Sequence, residues 1–392
     1  MNEQWYPAWT QAVSDFRGED DEPPFDDQTV RMTVQAGIGG DRVRAEFSNR
    51  FADGPIVIGH GAITAGGRTA EVAFEGRRSV SIPPGESRWT DPIELAVAHG
   101  GEVVVDLYLP EPTAYTTAGG FRFERSAHGD FAGSLAFPPE GATLEEIDAA
   151  REFPAPNTGD AATQDGTDWS LPPGGPFLRT IEVAGDEPRA VVVCLGGSST
   201  AMGWPQYTAA ALPAEARITV VNRGISGNRI RLDAPEGHPS WGRAGLARFD
   251  DDVLGTSGAT HLVIAYNSND WGLPGRVTSI DEMPTLAQVI DGYRELVARA
   301  EAAGLRVILA TVTALAPEMA TDADREGIRQ GLNDWIRTRG DVFADFDAAI
   351  RSADDSSRLA PELAAPDSTH PNINGEKRLA QATIDALHEL GL

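Results

Sequence analysis

The sequence predicts two domains of different fold class, an all-β domain followed by an α/β domain with a parallel sheet. The chain has 392 residues, which is long for a single hydrophobic core. Residues 1–150 contain short alternating strands separated by Pro and Gly turns, a pattern typical of a sandwich or jelly roll. From residue 189 onward, apolar strands alternate with helical patterns, which predicts a parallel sheet covered by helices on both faces.

The strands of the first domain are predicted from the alternation of apolar and polar residues. This alternation is clear over 30–34 and again over 43–47, and GIGGD (37–41) between them predicts a hairpin with a glycine turn. Further strands are predicted over 56–63, 78–82, 92–97 and 102–109.

The segment 151–188 is predicted to be a long loop that joins the two domains. Most of it is poor in large aliphatic residues and rich in Pro, Gly, Asp and Thr. FLRTIEV (177–183) is a candidate last strand before the boundary. The α/β domain then spans 189–392.

The α/β domain is predicted from five apolar strands and the helical patterns between them. The strands are expected over 190–195, 218–222, 260–266, 305–312 and 342–346. The helices are expected over 205–216, 244–254, 285–304, 324–340 and 374–390. Sites in such sheets form beyond the carboxyl ends of the strands, so the residues directly after each strand are the functional candidates.

Composition and charge exclude several classes of partner. The chain carries 59 acidic and 32 basic residues, a formal net charge of −27. This charge repels phosphate backbones and anionic membranes, so we expect neither nucleic acid nor a membrane as a partner. The one cysteine, Cys194, excludes an internal disulfide and a cysteine-based zinc site, and its position at the end of an apolar strand predicts a buried structural thiol.

Targeting signals are not apparent in the sequence. The start, MNEQWYPAWTQAV, has neither a basic region nor an apolar core, and no stretch reaches the roughly 18 apolar residues that span a bilayer. We therefore expect a cytoplasmic protein, or a secreted one if a leader has been removed.

The loop after the first strand of the α/β domain is GGSST (196–200). A P-loop is excluded because no Lys-Ser or Lys-Thr pair follows the glycines, and a dinucleotide fingerprint is excluded by their spacing. The G-x-S-x-G elbow is excluded because Thr200 stands where the last glycine belongs. Two interpretations stay open here: a reactive hydroxyl at a strand-to-helix turn, or an N-cap Ser or Thr.

Polar loops also follow the next two strands and precede the last helix: GISGN (224–228), NSND (267–270) and DSTHP (367–371). An Asp three residues before a His can accept the Nδ1 proton of the imidazole and leave Nε2 free to take another proton. Asp367 and His370 have this spacing. The alternative is a surface histidine in a polar turn.

In their order and spacing, these four motifs resemble the conserved blocks of the SGNH, or GDSL-type, hydrolases, a family of esterases, lipases and carbohydrate deacetylases. The resemblance covers residues 189–392 and implies a three-layer α/β/α, flavodoxin-like domain. The front part, with VRMTVQAGIGGDRVRAEFSN (30–49) and SVSIPPGE (79–86), resembles the N-terminal β-domain of a two-domain branch of this family.

The resemblance implies a role for one or two residues in each motif. Ser198 corresponds to the nucleophile, His370 to the base and Asp367 to the acid that orients it. The oxyanion hole would consist of the Ser198 amide, the Gly227 amide and the Asn269 side chain. We expect no metal and no cofactor, because preorganised donors supply the electrostatic stabilisation.

Two positions depart from the family pattern. Gly197 stands where the family has an Asp, and Asn267 stands where it has a Gly. We hypothesise that Asn267 supplies the polar brace that Gly197 cannot, and we also count it among the candidate substrate-binding residues. The other candidates are Trp204, Trp241 and Trp271. Trp241 and Trp271 fall in the loops after the second and third strands. For Trp204, the alternative is that it packs the first helix onto the sheet.

The sequence therefore predicts a serine esterase that acts on carboxylic esters, with a short-chain acyl group or an acylated carbohydrate as substrate. One alternative is an acyltransferase that resolves the same acyl-enzyme with an alcohol or a sugar. The other is a catalytically impaired homologue that binds glycans. The N-terminal domain is expected either to bind glycan or to serve as a structural packing partner.

Overall fold

The computed structural model describes residues 3–18, 23–142 and 173–392. It divides into two compact units, of which the first comprises the described residues up to 142 together with Pro173–Glu187, and the second comprises Pro188–Leu392. The predicted linker lies outside the described residues as far as residue 172. The first unit is all-β and the second is α/β, so the predicted fold class is confirmed.

The first unit consists of antiparallel sheets. Its strands are β1 (Trp5–Thr10), β2 (Ser14–Asp15), β3 (Gln28–Gln35), β4 (Arg42–Asn49), β5 (Ile56–Ile58), β6 (His60–Ala65), β7 (Arg68–Glu71), β8 (Val80–Ile82), β9 (Glu86–Trp89), β10 (Glu102–Leu109), β11 (Thr117–Arg122), β12 (Glu124–His128), β13 (Gly174–Pro176) and β14 (Leu178–Ala184). The two largest sheets have the orders β1–β14–β4–β9 and β12–β3–β10–β6–β7. Both contribute to one buried apolar cluster, to which β4 supplies Val43 and β10 supplies Val105.

The glycine-rich segment 37–41 does not close a hairpin. β3 pairs with β10 and β12, whereas β4 pairs with β14 and β9, so this segment carries the chain from one sheet to the other. A Cβ at Gly40 would overlap the carbonyl group of Ala184, so a glycine is needed here for close backbone packing. The predicted hairpin is wrong because alternation identifies a strand but does not specify its partner.

Of two further predicted strands of the first unit, one is not continuous and the other is present. The segment 92–97 forms isolated bridges at Ile93 and Val97 instead of a continuous strand. The candidate strand over 177–183 is present as β14, and it lies between β1 and β4. β14 is therefore a central strand of the first unit.

The second unit alternates strands and helices. Its strands are β15 (Ala190–Gly196), β16 (Ile218–Gly224), β17 (His261–Ala265), β18 (Arg306–Ala310) and β19 (Phe343–Ala344). Its helices are α1 (Ser198–Ala201), α2 (Trp204–Ala211), α3 (Gly245–Phe249), α4 (Asn269–Gly272), α5 (Leu286–Ala302), α6 (Pro317–Ala320), α7 (Ala323–Thr338), α8 (Phe346–Ile350) and α9 (Ile373–Glu389), with a π-helical turn at Asp250–Leu254 and 3₁₀ turns at Ala214–Ala216, Pro239–Trp241, Ile280–Glu282 and Pro361–Leu363. Among the described residues, no helix combines the length and the apolar composition that crossing a membrane requires.

The parallel sheet of the second unit has the order β16–β15–β17–β18–β19. Successive side chains of β15 point to opposite faces. Val193 and Leu195 pack into an apolar cluster with α5 and α7, whereas Val192 and Cys194 pack into a second cluster with α2 and α9. The unit is therefore a three-layer α/β/α domain. Cys194 is buried as predicted, and burial raises the pKa of its thiol.

Candidate active site

Ser198 lies at the sharp turn between β15 and α1. It is the first residue of α1, and the N–H of a first helical residue has no carbonyl partner within the helix. The N-cap position is Gly197, and no side chain caps the helix there. The Ser198 hydroxyl lies 2.9 Å from Nε2 of His370 instead. Ser198 is therefore not the N-cap of α1.

Close contacts hold the turn that bears Ser198. A Cβ at Gly196 would overlap the side chain of Thr200, so glycine is needed to let this threonine approach the strand. The Thr200 hydroxyl donates to the Ala265 carbonyl over 3.0 Å, and Asn222 Nδ2 donates to the Thr200 carbonyl over 2.7 Å. These bonds tie α1 to β16 and β17, the two neighbours of β15.

Asp367 and His370 lie in the turn directly before α9. His370 Nδ1 lies 2.6 Å from Asp367 Oδ2. The other carboxylate oxygen, Oδ1, accepts from the backbone N–H groups of Thr369 over 2.9 Å and of His370 over 3.0 Å. Ser368 has a left-handed backbone conformation with φ of 55°, which costs roughly 1–2 kcal/mol for a residue with a Cβ. The turn therefore bends the carboxylate back onto its own backbone and onto the imidazole.

The charge of Asp367, which depends on its pKa, determines which ring nitrogen of His370 carries the proton. Burial raises this pKa, but the hydrogen bonds from the His370 ring and from the two backbone N–H groups outweigh burial, so the pKa lies below its ordinary value. The carboxylate is ionised at neutral pH and can only accept hydrogen bonds. The bonding pattern thus assigns the imidazole proton to Nδ1 and leaves Nε2 to accept from Ser198.

The loop after β16 and the start of α4 supply two further groups. Gly227 has φ of 74°, and a Cβ there would overlap the Trp241 indole, so the position favours glycine for two reasons. Asn269 is the first residue of α4, and its Nδ2 donates to the Asn228 carbonyl over 3.0 Å. A primary amide has two N–H donors, so this bond leaves one for another acceptor.

Asn267 lies against the turn that bears the candidate nucleophile. A Cβ at Gly197 would lie 2.9 Å from Asn267 Oδ1 and 3.4 Å from Asn269 Nδ2. Asn267 Nδ2 donates to Ser199 Oγ over 2.6 Å, and Oδ1 accepts from the Ser199 N–H over 3.4 Å. The Asn267 amide therefore occupies the space beside residue 197 and is bonded to α1. These contacts are the structural basis for the hypothesised brace.

The three candidate tryptophans differ in their surroundings. Trp204 is 0% exposed and Trp271 is 1% exposed. Trp204 packs edge-to-face on Phe346, with ring centroids 5.1 Å apart, and Trp271 belongs to the apolar cluster around α5 and α7. Both differ from the expected substrate contacts, because almost the whole surface of each ring is covered by other side chains of the core. Trp241 is partly exposed, stacks on His238 with centroids 4.3 Å apart, and stays a candidate.

Asp270 is a residue of the site region that the sequence reasoning missed. It is 5% exposed, and its carboxylate accepts from the backbone N–H groups of Ile230 over 2.7 Å and Arg231 over 3.1 Å. Burial raises its pKa, although these backbone hydrogen bonds act in the opposite direction. Asp270 anchors the loop after β16 to α4. Its position beside Asn269 in the NSND motif was the signal that could have identified it.

The arrangement joins a hydroxyl, an imidazole and a carboxylate in one hydrogen-bonded chain. Such a chain can move a proton from the hydroxyl to the imidazole while the carboxylate stabilises the imidazolium, which activates the hydroxyl as a nucleophile. Within residues 3–18, 23–142 and 173–392, no group of three or more His, Cys, Asp or Glu side chains could hold a metal ion.

Solved structures with a similar fold include several esterases. A GDSL-like lipase from Bacteroides thetaiotaomicron is 18% identical, with a TM-score of 0.38 over 52% of this chain and 92% of that one. An acetylxylan esterase from Geobacillus stearothermophilus is 23% identical, with a TM-score of 0.40 over 51% of this chain and 94% of that one. These likenesses are weak. Among curated proteins, none matches this chain.

The family assignment rests on a comparison with family models. Residues 185–378 match the model of the GDSL-like lipase/acylhydrolase family. The match spans all four sequence motifs, from GGSST to DSTHP. This family match confirms the predicted class of enzyme, a carboxylic ester hydrolase. Residues 185–378 therefore form a domain of the GDSL-like lipase/acylhydrolase family.

Proposed function

We propose that the second unit hydrolyses carboxylic esters through a triad formed by Ser198, His370 and Asp367. The proposal is carried by one observation, the unbroken chain of short contacts from Asp367 Oδ2 to His370 Nδ1 at 2.6 Å and from His370 Nε2 to Ser198 Oγ at 2.9 Å. The serine and the histidine are 172 positions apart in sequence, so this contact is a property of the fold.

In the first half of the reaction, the Ser198 oxygen attacks the ester carbonyl carbon and its proton passes to Nε2 of His370. Asp367 keeps the imidazole in the required tautomer and stabilises the imidazolium. The tetrahedral intermediate then collapses, the bond to the alcohol oxygen breaks, and the alcohol leaves with the proton from Nε2. The products of this half are the free alcohol and an acyl-serine.

The negative charge on the carbonyl oxygen requires donors that are already in place. The Ser198 N–H, at the start of α1, the Gly227 N–H and the second hydrogen of Asn269 Nδ2 are the groups we assign to this task. Asn269 is oriented by its bond to the Asn228 carbonyl. Such donors stabilise the transition state without reorganisation during the reaction.

In the second half, His370 Nε2 takes a proton from a water molecule whose oxygen attacks the acyl carbon. Collapse of this intermediate breaks the bond to Ser198, which regains its proton from Nε2, and the carboxylic acid leaves. Atoms and charges balance without any group beyond water and the triad.

The direct test is Ser198→Ala assayed with p-nitrophenyl acetate. We expect kcat to fall on the order of 10⁶-fold, because triad residues act as a unit. The melting temperature should change little, since the substitution removes one oxygen atom. Labelling by a fluorophosphonate probe should also disappear. Wild-type turnover in the purified variant would rule out the proposed nucleophile.

For the substrate we propose esters with a short acyl group, including acylated carbohydrates. Trp241 supports this proposal, because its ring packs against Gly227, one of the assigned oxyanion donors, and the part of the ring that is exposed can contact a sugar bound there. A series of p-nitrophenyl esters of increasing chain length, measured beside acetylated sugars, tests it. A preference for acyl chains of eight carbons or more would contradict it.

A further inference from the structure

The guanidinium group of Arg248, on α3, is buried beneath the loops of the candidate active site. The residue is 4% exposed, and its hydrogen-bond partners come from several parts of the chain. Its acceptors are the carbonyl oxygens of Arg223 at 2.7 Å and Gly196 at 3.0 Å, Asn228 Oδ1 at 3.0 Å, Asp252 Oδ2 at 2.8 Å and the Tyr266 hydroxyl at 3.2 Å. One side chain therefore uses the whole planar fork of a guanidinium group.

Three of these acceptors belong to the loops that carry assigned site residues. Gly196 is the last residue of β15 and precedes Ser198 by two positions. Asn228 directly follows Gly227, and Tyr266 precedes Asn269 by three positions. Arg248 therefore contacts the ends of β15, β16 and β17 at the point where each strand leads into one part of the site.

The acceptors of Arg248 are also bonded to each other and to the surrounding loop. The Tyr266 hydroxyl donates to Asn228 Oδ1 over 3.1 Å. Asn228 Nδ2 in turn donates to the Trp241 carbonyl over 2.7 Å and to the Arg243 carbonyl over 2.8 Å. Burial raises the pKa of Tyr266 to about 12, so its hydroxyl keeps the proton that it donates.

Asp252 balances the charge of Arg248. It lies in the π-helical turn after α3, one helical turn from Arg248, and its side chain is 9% exposed. A buried charge is tolerated only when it is paired and fully hydrogen-bonded. Apolar side chains would fill the same space without the cost of burying two charges. The Arg248 guanidinium instead directs its N–H donors to groups at the strand ends.

We propose that Arg248 is a positioning residue that sets the spacing between the loops bearing Ser198, Gly227 and Asn269, and thereby the geometry of the oxyanion hole. This inference rests on the proposed esterase function. Arg248 does not touch the reacting atoms; it acts through the backbone and side-chain groups that it holds. A displacement of about 1 Å at a catalytic group can cost about 10²-fold in rate.

The test compares Arg248→Lys with a matched control, Arg329→Lys. Lysine keeps the charge of Arg248 but cannot reproduce its planar set of donors. Arg329 is 3% exposed and forms the same kind of buried ion pair, with Asp347 at 2.7 Å, but it lies on α7 and contacts no loop of the site. Both variants should lose thermal stability. We expect kcat for p-nitrophenyl acetate to fall about 10- to 100-fold in R248K with KM within twofold, and to stay within twofold in R329K.

A double-mutant cycle with Asn269→Ala separates positioning from general destabilisation. If Arg248 acts through the oxyanion hole, R248K combined with N269A should be hardly slower than N269A alone, because both remove the same contribution. Additive losses would overturn the inference, as would a wild-type kcat in R248K or an equal loss in R329K. If R248K does not fold, the test uses Tyr266→Phe, which removes one acceptor of Arg248. We then expect kcat to fall, and an unchanged kcat would overturn the inference. Failure of the esterase proposal is recognised separately, by activity that persists in Ser198→Ala.

Discussion

The two units each contain a histidine bonded to an aspartate, and the two pairs differ in what lies at the second ring nitrogen. In the first unit, His60 Nδ1 lies 3.0 Å from both carboxylate oxygens of Asp130 and from Arg78 Nη2, and Nε2 lies 3.7 Å from Glu71, beyond hydrogen-bonding distance. In the second unit, His370 Nε2 lies 2.9 Å from the Ser198 hydroxyl. The Ser198 hydroxyl therefore extends the second pair to a chain of three groups, whereas among the described residues no hydrogen-bond partner reaches Nε2 of His60.

A histidine–aspartate contact by itself does not define a site. The His60–Asp130 contact joins β6 to residues that follow β12, 70 positions later, and therefore ties a loop to a sheet. The His370–Asp367 contact spans three residues within one turn, and that turn leaves the far nitrogen accessible to a group from α1. The first pair restrains the fold, whereas the second can transfer a proton.

The largest contrast is expected from matched substitutions of the two aspartates. Asp367→Asn should lower kcat on the order of 10⁴-fold, because the amide favours the wrong imidazole tautomer. Asp130→Asn should leave kcat within twofold and lower the melting temperature, because it weakens a structural contact. Kinetics with p-nitrophenyl acetate and thermal denaturation of both variants check this. A similar loss of kcat in the two variants would break the comparison.

The proposed oxyanion donor on α4, Asn269, gives the next largest expected effect. Asn269→Ala should lower kcat about 10²- to 10³-fold with little change in KM, because the side chain acts mainly in the transition state. Asn269→Asp is the control of equal size, since it keeps the volume but lacks the amide donors. Steady-state kinetics on both variants test the assignment. Full activity in Asn269→Asp would show that the donor is not needed.

The contact between Gly197 and Asn267 predicts a coupled pair of substitutions. Gly197→Asp alone should lower activity, because the new side chain would collide with Asn267 Oδ1, 2.9 Å from the position of its Cβ. Adding Asn267→Gly should restore much of the loss, with a coupling energy of about 0.5–3 kcal/mol. The four kcat/KM values of the cycle measure this energy. Strictly additive effects would show that Asn267 does not replace the missing acid.

The smallest effect concerns stability against pH. Because the folded-state pKa of Asp367 lies below its ordinary value, its contribution to stability is present above the unfolded pKa, which is about 4 for aspartate, and is lost as pH falls through the lowered value. The melting temperatures of the wild type and Asp367→Asn should therefore converge below about pH 4. A difference between the two that stays constant from pH 7 to pH 3 would contradict the assigned charge state.

The strand and helix pattern of the second unit could be predicted from the sequence because its signals are local. Buried parallel strands appear as continuous apolar runs such as AVVVCL, and the polar motifs that follow them mark the strand ends. The pair of Asp367 and His370 was also predictable, since both residues lie in one turn. The partners of the strands were harder to predict. The alternation of apolar and polar residues over 30–47 is the same whether the two strands form a hairpin or belong to two different sheets.

Burial and long-range contacts explain where the structure differs from the sequence-based predictions. Trp204 and Trp271 occupy loop and helix positions in the sequence that also suit exposed residues, and only the packing of α2 against Phe346 and of α4 against the core makes them buried. Arg248 carries no motif, and four of its five acceptors are 18 to 52 positions away along the chain. Such contacts depend on the arrangement of several strands at once.

The amino-acid sequence by itself determined the fold class, the five strands of the second unit, its helices α2, α3, α5, α7 and α9, and the identity of the polar groups at the strand ends, because periodicity and motif spacing act over a few residues. The tertiary structure decided that Ser198 meets His370, that Asn267 lies beside Gly197, and that one arginine holds three strand ends together. These contacts join distant segments, and their geometry depends on how the parallel strands align at a common edge of the sheet.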